Sequence, residues 1–173
     1  MMTEEDEKTL HMTVLMTPDM ANFSGNVHGG SILKMLDQVA YACAARYSKS
    51  YVVTVSLDQV TFNQPIKVGE LVSFRANVNY VGNSSMEIGV KVISENLQTK
   101  EKRHTNSCYF TMVARSEDGK AVKVPPLKLE SEFEKKLYDA AVMRKKMRKE
   151  ITARNKEITS EIPDYNPDIS QNT

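Results

Sequence analysis

The spacing of the hydrophobic positions changes twice along the chain, and each change marks a predicted element. Residues 9–16, Thr-Leu-His-Met-Thr-Val-Leu-Met, suit a first strand that Thr17-Pro18-Asp19 would end. A polar loop, 19–29, follows. Between 30 and 47, Ile32, Leu33, Met35, Leu36, Val39, Ala40, Cys43 and Ala44 recur at three- and four-residue spacing. That pattern predicts a helix apolar around most of its circumference, with Lys34, Asp37, Gln38 and Tyr41 as a narrow polar stripe. The period then becomes two. Val72, Phe74, Ala76, Val78 and Tyr80 alternate with polar residues in 71–81, and Met86, Ile88, Val90 and Val92 do so in 86–92. Segments 51–62 and 103–115 are rich in Val, Thr, Tyr and Phe, while Pro65, Gly69, Gly82-Asn83, Asn96 and Asp118-Gly119 mark the breaks. Strand, long helix and four strands with short connections predict an α+β domain, an antiparallel sheet with one helix packed on it.

Past Pro125-Pro126 the composition shifts to Lys, Glu, Arg and Met. Phe133, Leu137, Ala140, Met147, Ile151 and Ile158 return at helical spacing and predict a C-terminal helix within 127–162. Its basic cluster, Arg144 to Lys149, suits a solvated face, an anionic-membrane or nucleic-acid patch, or a contact with another subunit or its ligand. The apolar positions favour packing on the body of an oligomer, with the basic cluster mostly outside that stripe. Residues 163–173 are expected to be a disordered tail.

Composition narrows the function classes. A chain of 173 residues, 40% hydrophobic and 26% charged, suits one soluble globular domain. A net charge of +1 argues against nucleic-acid binding by the whole molecule. Cys43 and Cys108 both lie in apolar runs and read as buried free thiols, and no Cys or His pair has metal-ligand spacing. The acidic N-terminus lacks an apolar signal core, and no run reaches membrane-spanning length. A cytoplasmic protein with no membrane insertion is expected.

The chemistry concentrates in Asn22-Phe-Ser-Gly25-Asn26-Val-His28-Gly29-Gly30 and, seven residues on, Asp37. Two glycines close the polar loop directly before the helix, where unpaired N–H groups and a partial positive charge are on offer. Without a Cβ, Gly29 and Gly30 let a ligand oxygen approach those donors. Donors at a helix N-terminus with a carboxylate further along suit the hydrolysis of an acyl bond, Asp37 acting either as general base toward water or as nucleophile. His28 has no Ser or Cys nucleophile beside it in a recognisable motif, so it is expected to line the pocket.

Asn-x-x-Gly-x-x-x-Gly-Gly-x-x-x-x-x-x-Asp, with Gly-Asn-Val-His-Gly-Gly inside it, resembles the signature of hotdog-fold acyl-CoA thioesterases, in the branch of the brain-type cytosolic acyl-CoA hydrolase and its bacterial relatives. The likeness extends through Val55-Ser-Leu-Asp58-Gln-Val-Thr-Phe62-Asn-Gln-Pro65-Ile-Lys-Val-Gly69-Glu70, Tyr80 to Met86, and Phe110 to Ala114, and covers roughly residues 8–126. It implies a hotdog fold, a sheet wrapped around one long helix, and hydrolysis of acyl-CoA without metal or other cofactor. It further implies that Asn22 and Asp37 are catalytic, Asn22 meeting Asp37 of a partner chain. Gly30, with Gly29 and His28 beside it, would hold the thioester. Ser56, Asn83, Ser84 and Ser85 would contact CoA, and Arg103, Lys120 and Lys123 are available for its phosphates. A single-copy chain implies a homo-oligomer, a hexamer built as a trimer of dimers. The rival readings are a hotdog enoyl-CoA hydratase, whose Asp/His pair is absent beside Asp37, and a non-catalytic acyl-CoA-binding regulator.

Overall fold

A computed structural model describes residues 7–160. The two periods become a five-stranded sheet and two long helices: β1 (Thr9–Leu15), α1 (Gly29–Ser48), β2 (Tyr51–Leu57), β3 (Leu71–Val81), β4 (Ser85–Glu95), β5 (Lys102–Arg115) and α2 (Glu132–Ser160). The strand order is β1-β3-β4-β5-β2, with every neighbour antiparallel. α1 touches all five strands. It buries Ile32, Met35, Leu36, Val39, Ala40, Cys43, Ala44 and Tyr47 against the inward row of the strands, which includes Phe74, Ile88, Phe110 and Met112. Each large aliphatic side chain so removed from water contributes about 1.5–3 kcal/mol. The helix stops at Lys49, whose left-handed backbone (φ 54°) turns the chain into β2.

Cys43 and Cys108 are free and buried, as the sequence implies, and burial pushes both thiols up to about 12. They are inert as nucleophiles at neutral pH.

Two expectations need correction. The second strand ends at Leu57 rather than 62. A bulge between Thr54 and Ser56 already bends it, and the Asp58 N–H still donates to the Tyr109 carbonyl while its carboxylate reaches Arg148 at 2.8 Å. The second correction concerns α2, which crosses the outer face of the sheet with its basic side inward. Arg144 bonds the Glu87 carboxylate at 2.6 and 3.1 Å and lies over the Tyr109 ring, while Arg148 bridges Glu87 and Asp58. Lys145 and Tyr138 pack on Tyr80. Phe133, Met147 and Ile151 of the apolar stripe are exposed in the protomer, where a neighbouring subunit would cover them in the expected oligomer. The counter-charge decides the orientation: Glu87 is 1% exposed, and a carboxylate that far out of water must be paired. Glu87→Gln should therefore cost about 2 kcal/mol of stability and loosen α2. A lower melting temperature with faster proteolysis inside 132–160 would show it; an unchanged digestion pattern would contradict it.

A second buried carboxylate closes the start of β3. Glu70 accepts hydrogen bonds from the Lys67 N–H, the Ser94 hydroxyl and Arg103. Burial alone would raise its pKa, but the Ser94 and Lys67 hydrogen bonds and the Arg103 charge together hold it below the usual carboxylate range. The stability this gives is present above the ordinary Glu pKa and is lost as pH falls through the lowered value. Urea midpoints near pH 7 and about pH 3 should thus diverge more in the wild type than in Glu70→Gln. The residues 163–173, expected to be a disordered tail, lie outside the described residues.

Candidate active site

The loop ahead of α1 is organised by its own polar side chains. After a single turn of 3-10 helix at Pro18–Met20, the Asn22 N–H donates to the Asn26 carbonyl at 2.7 Å. The Asn22 side-chain oxygen accepts from the Ser24 N–H, the Ser24 hydroxyl and the Asn26 N–H. Gly25 takes the positive φ (78°) that the turn requires. Backbone bonds from Val27 to Ile66 and from His28 to Met20 pin the loop to the body. Asn22, Gly29, Ile32, Phe62 and Ile66 line a groove of about 390 Å³.

His28 is the N-cap of α1. Its Nδ1 accepts the Gly30 N–H at 2.9 Å, so the donor expected to face a thioester oxygen is engaged by the neighbouring ring. An added Cβ at Gly30 would sit 3.0 Å from that Nδ1, so glycine is what lets the ring close over the helix end. Histidine thus serves as a side-chain cap, a place usually taken by Ser, Thr, Asp or Asn.

Asp37 lies seven residues beyond Gly30, so both fall on one side of α1, about 10 Å apart along its axis. It is exposed, and its Oδ1 accepts the Thr54 hydroxyl from β2 at 2.7 Å. The sequence reading did not single out Thr54. It sits in a Val- and Thr-rich strand, and nothing local marks its partner seventeen residues back. Within the protomer no hydrogen bond joins Asn22 to Asp37 among the described residues.

The surroundings of Asp37 are apolar and open. β2 is an edge strand. Tyr51, Val55 and Leu57 on it, with Tyr41 on α1, are exposed, and Tyr41 meets Tyr51 edge to face at 6.4 Å. Phe23 and Phe62 project from the loops. An unpaired strand edge carrying large apolar side chains around a carboxylate is built to be covered.

The residues expected at CoA lie elsewhere. Ser56 opens on the outer side into a groove with Lys145, Arg148, Lys149 and Lys156 of α2. At the β3–β4 turn, the Ser84 and Asn83 carbonyls accept the Ala114 and Val124 N–H groups, and the Ser85 carbonyl accepts from Gly82. Those backbone groups tie the end of β5 to the segment after it. Of the available cations, Arg103 is paired with Glu70 and Lys120 with Asp118.

Comparison with known proteins places this arrangement. The thioesterase superfamily profile matches residues 24–101. Helicobacter pylori protein VdlD is 50% identical over 143 residues, 83% of this chain and 82% of that protein. The uncharacterized acyl-CoA thioester hydrolase YkhA of Bacillus subtilis is 36% identical over 83% of each. The chain belongs to the acyl-CoA thioester hydrolases of the thioesterase superfamily. Its fold is the hotdog fold of that group. A solved apo-hexameric acyl-CoA thioesterase superposes with a TM-score of 0.83 at 36% identity, over 86% of this chain and 96% of its own. An acyl-CoA hydrolase from Staphylococcus aureus, solved with butyryl coenzyme A, coenzyme A and coenzyme A disulfide, gives a TM-score of 0.81 at 29% identity over 91% and 96%. Alanine variants of that hydrolase alter one Asn, one Asp and one Thr, separated by fifteen and then seventeen positions. In this acyl-CoA thioester hydrolase, Asn22, Asp37 and Thr54 have the same separations.

Proposed function

We propose that the protein hydrolyses acyl-CoA to a carboxylic acid and CoA at a site completed by a second protomer. The observation that carries this reading is the Asp37 carboxylate, held by Thr54 at an open, apolar, unpaired strand edge. Thr54 fixes one carboxylate oxygen and leaves the other for chemistry. Asp37 then acts either as general base toward water or as the nucleophile that forms a transient anhydride. Gly30 N–H polarises the thioester oxygen once the His28 ring gives it up, with Gly29 keeping the approach open. Losing one such donor typically removes about 2.7–4 kcal/mol of transition-state stabilisation. Asn22, whose side-chain oxygen is bonded within its own loop and not to its own Asp37, would orient water or the carbonyl at the partner's site.

The CoA end would run along β2 toward Ser56, where Lys145 and Lys149 supply charge; Asn83 to Ser85 stand toward the other, Tyr51 end of the strand. No metal or other cofactor enters this chemistry. The assembly that covers the β2 edge is a dimer, and three dimers would make the hexamer. In the described residues no helix is long and apolar enough to cross a membrane. The protein is proposed to act in the cytoplasm.

A panel of acyl-CoAs with a thiol reagent tests the activity: free thiol should appear with at least one chain length. A binder without turnover would release none, and an enoyl-CoA hydratase would saturate the double bond without freeing thiol. His28→Ala separates a cap from a base. Loss of the cap should cost about 0.5–2 kcal/mol of stability. Turnover should stay within about tenfold of wild type, whereas general bases contribute typically 10²–10⁴-fold.

A further inference from the structure

The outer face of the sheet carries a charge arrangement that chemistry at Asp37 does not use. His11 on β1, Arg75 on β3 and Lys91 on β4 stand directly opposite one another across two strand pairings, and Ser107 on β5 completes the row. All four are exposed. Among the described residues, His11, Arg75 and Lys91 make no ion pair or hydrogen bond through their side chains. Like charges directly opposite in a sheet repel, a repulsion that an anion bound between Arg75 and Lys91 would relieve. The first turns of α2 wall off one side of the row with Phe133 and Leu137, making a groove of about 410 Å³ with no carboxylate in its lining. Phe133, on that wall, is 70% exposed.

We propose that this groove binds the phosphates of a nucleotide. Two cations, Arg75 and Lys91, flanked by the His11 imidazole, lie within two strand spacings of about 10 Å in all, the reach of a diphosphate or triphosphate. Ser107 adds a hydroxyl donor at the end of the row, and its Oγ already shares a 2.9 Å hydrogen bond with His104 Nε2. The apolar wall gives a planar base a surface to lie on, which inorganic phosphate would not use. Arg75 supplies a planar fork for bidentate phosphate contact, and Lys91 supplies a point charge beside it. Two sources share its chemistry: a free nucleoside phosphate, and the nucleotide end of CoA. ADP binding here does not depend on the catalytic reading; the CoA source does rest on it, and would place the nucleotide end of CoA in this groove rather than beside Ser56.

Calorimetric titration of the full-length oligomer with ADP tests it. Binding should be measurable, weaken with added salt, and fall at least about tenfold in Arg75→Gln/Lys91→Gln. Both positions are exposed and relieved of repulsion by the change, so the variant should melt no lower than wild type without ligand. Titration in the presence of saturating CoA identifies the source. Additive binding assigns a free nucleotide; competition, with a raised KM for acyl-CoA in the double variant, assigns the substrate's own nucleotide. Absence of ADP binding, or equal binding by wild type and double variant, would overturn the proposal.

Discussion

Asp37→Asn is expected to lower turnover by at least about two orders of magnitude, because a positioned general base typically contributes 10²–10⁴-fold. The substitution keeps the size of the side chain and leaves an oxygen to accept the 2.7 Å bond from Thr54. Only basicity and nucleophilicity are removed. Affinity for acyl-CoA should therefore persist, with kcat and kcat/KM falling together, as expected for an interaction made in the transition state alone. Asp37 is exposed and makes no ion pair among the described residues, so melting temperature should barely move. Thiol release near the wild-type rate would make the carboxylate structural and remove the proposed mechanism.

The two periods made most of the framework legible. The alternating segment 71–81 is β3 to the residue, although a bulge after Val78 turns Tyr80 to the α2 face, and the apolar run of 30–47 is α1 to within one residue at each end. These patterns are local, because a residue's face follows from its neighbours along the chain. Where faces are assigned by distant partners, the reading failed. Nothing in Arg144 and Arg148 shows that Glu87, on a strand more than fifty residues earlier, lies buried and waits for them. The ion pairs set which side of α2 meets its own sheet, and the apolar stripe is left on the side open to a neighbouring subunit. Strand β2 also ends sooner than its composition suggests, shortly after the bulge between Thr54 and Ser56.

The site divides in the same way. Asn22, His28, Gly29, Gly30 and Asp37 were legible because loop, glycines and helix are contiguous in sequence. Thr54 was not, because its only distinction is a hydrogen bond across the packing of β2 on α1. The capping of Gly30 N–H by His28 was also invisible, since it depends on the direction in which one ring turns.

The remaining large effect concerns how the site is divided between chains. Asn22 spends its side-chain oxygen on its own loop and does not reach Asp37 of the same protomer, while Asp37 faces an edge that a second copy would cover. An isologous pair built on that edge places two sites at one interface, each drawing Asn22 from one chain and Asp37 from the other. Asn22→Ala and Asp37→Asn homo-oligomers should each be nearly inactive, for different reasons and in opposite chains of each site. The most direct measurement is thiol release after the two inactive variants are unfolded together, refolded and shown to have exchanged subunits. Random pairing makes half of the dimers mixed, each with one intact site in two, so activity should return to about a quarter of wild type. Activity that stays at the level of the separate variants, with mixed oligomers confirmed by mass, would place both residues in one chain and contradict the shared site.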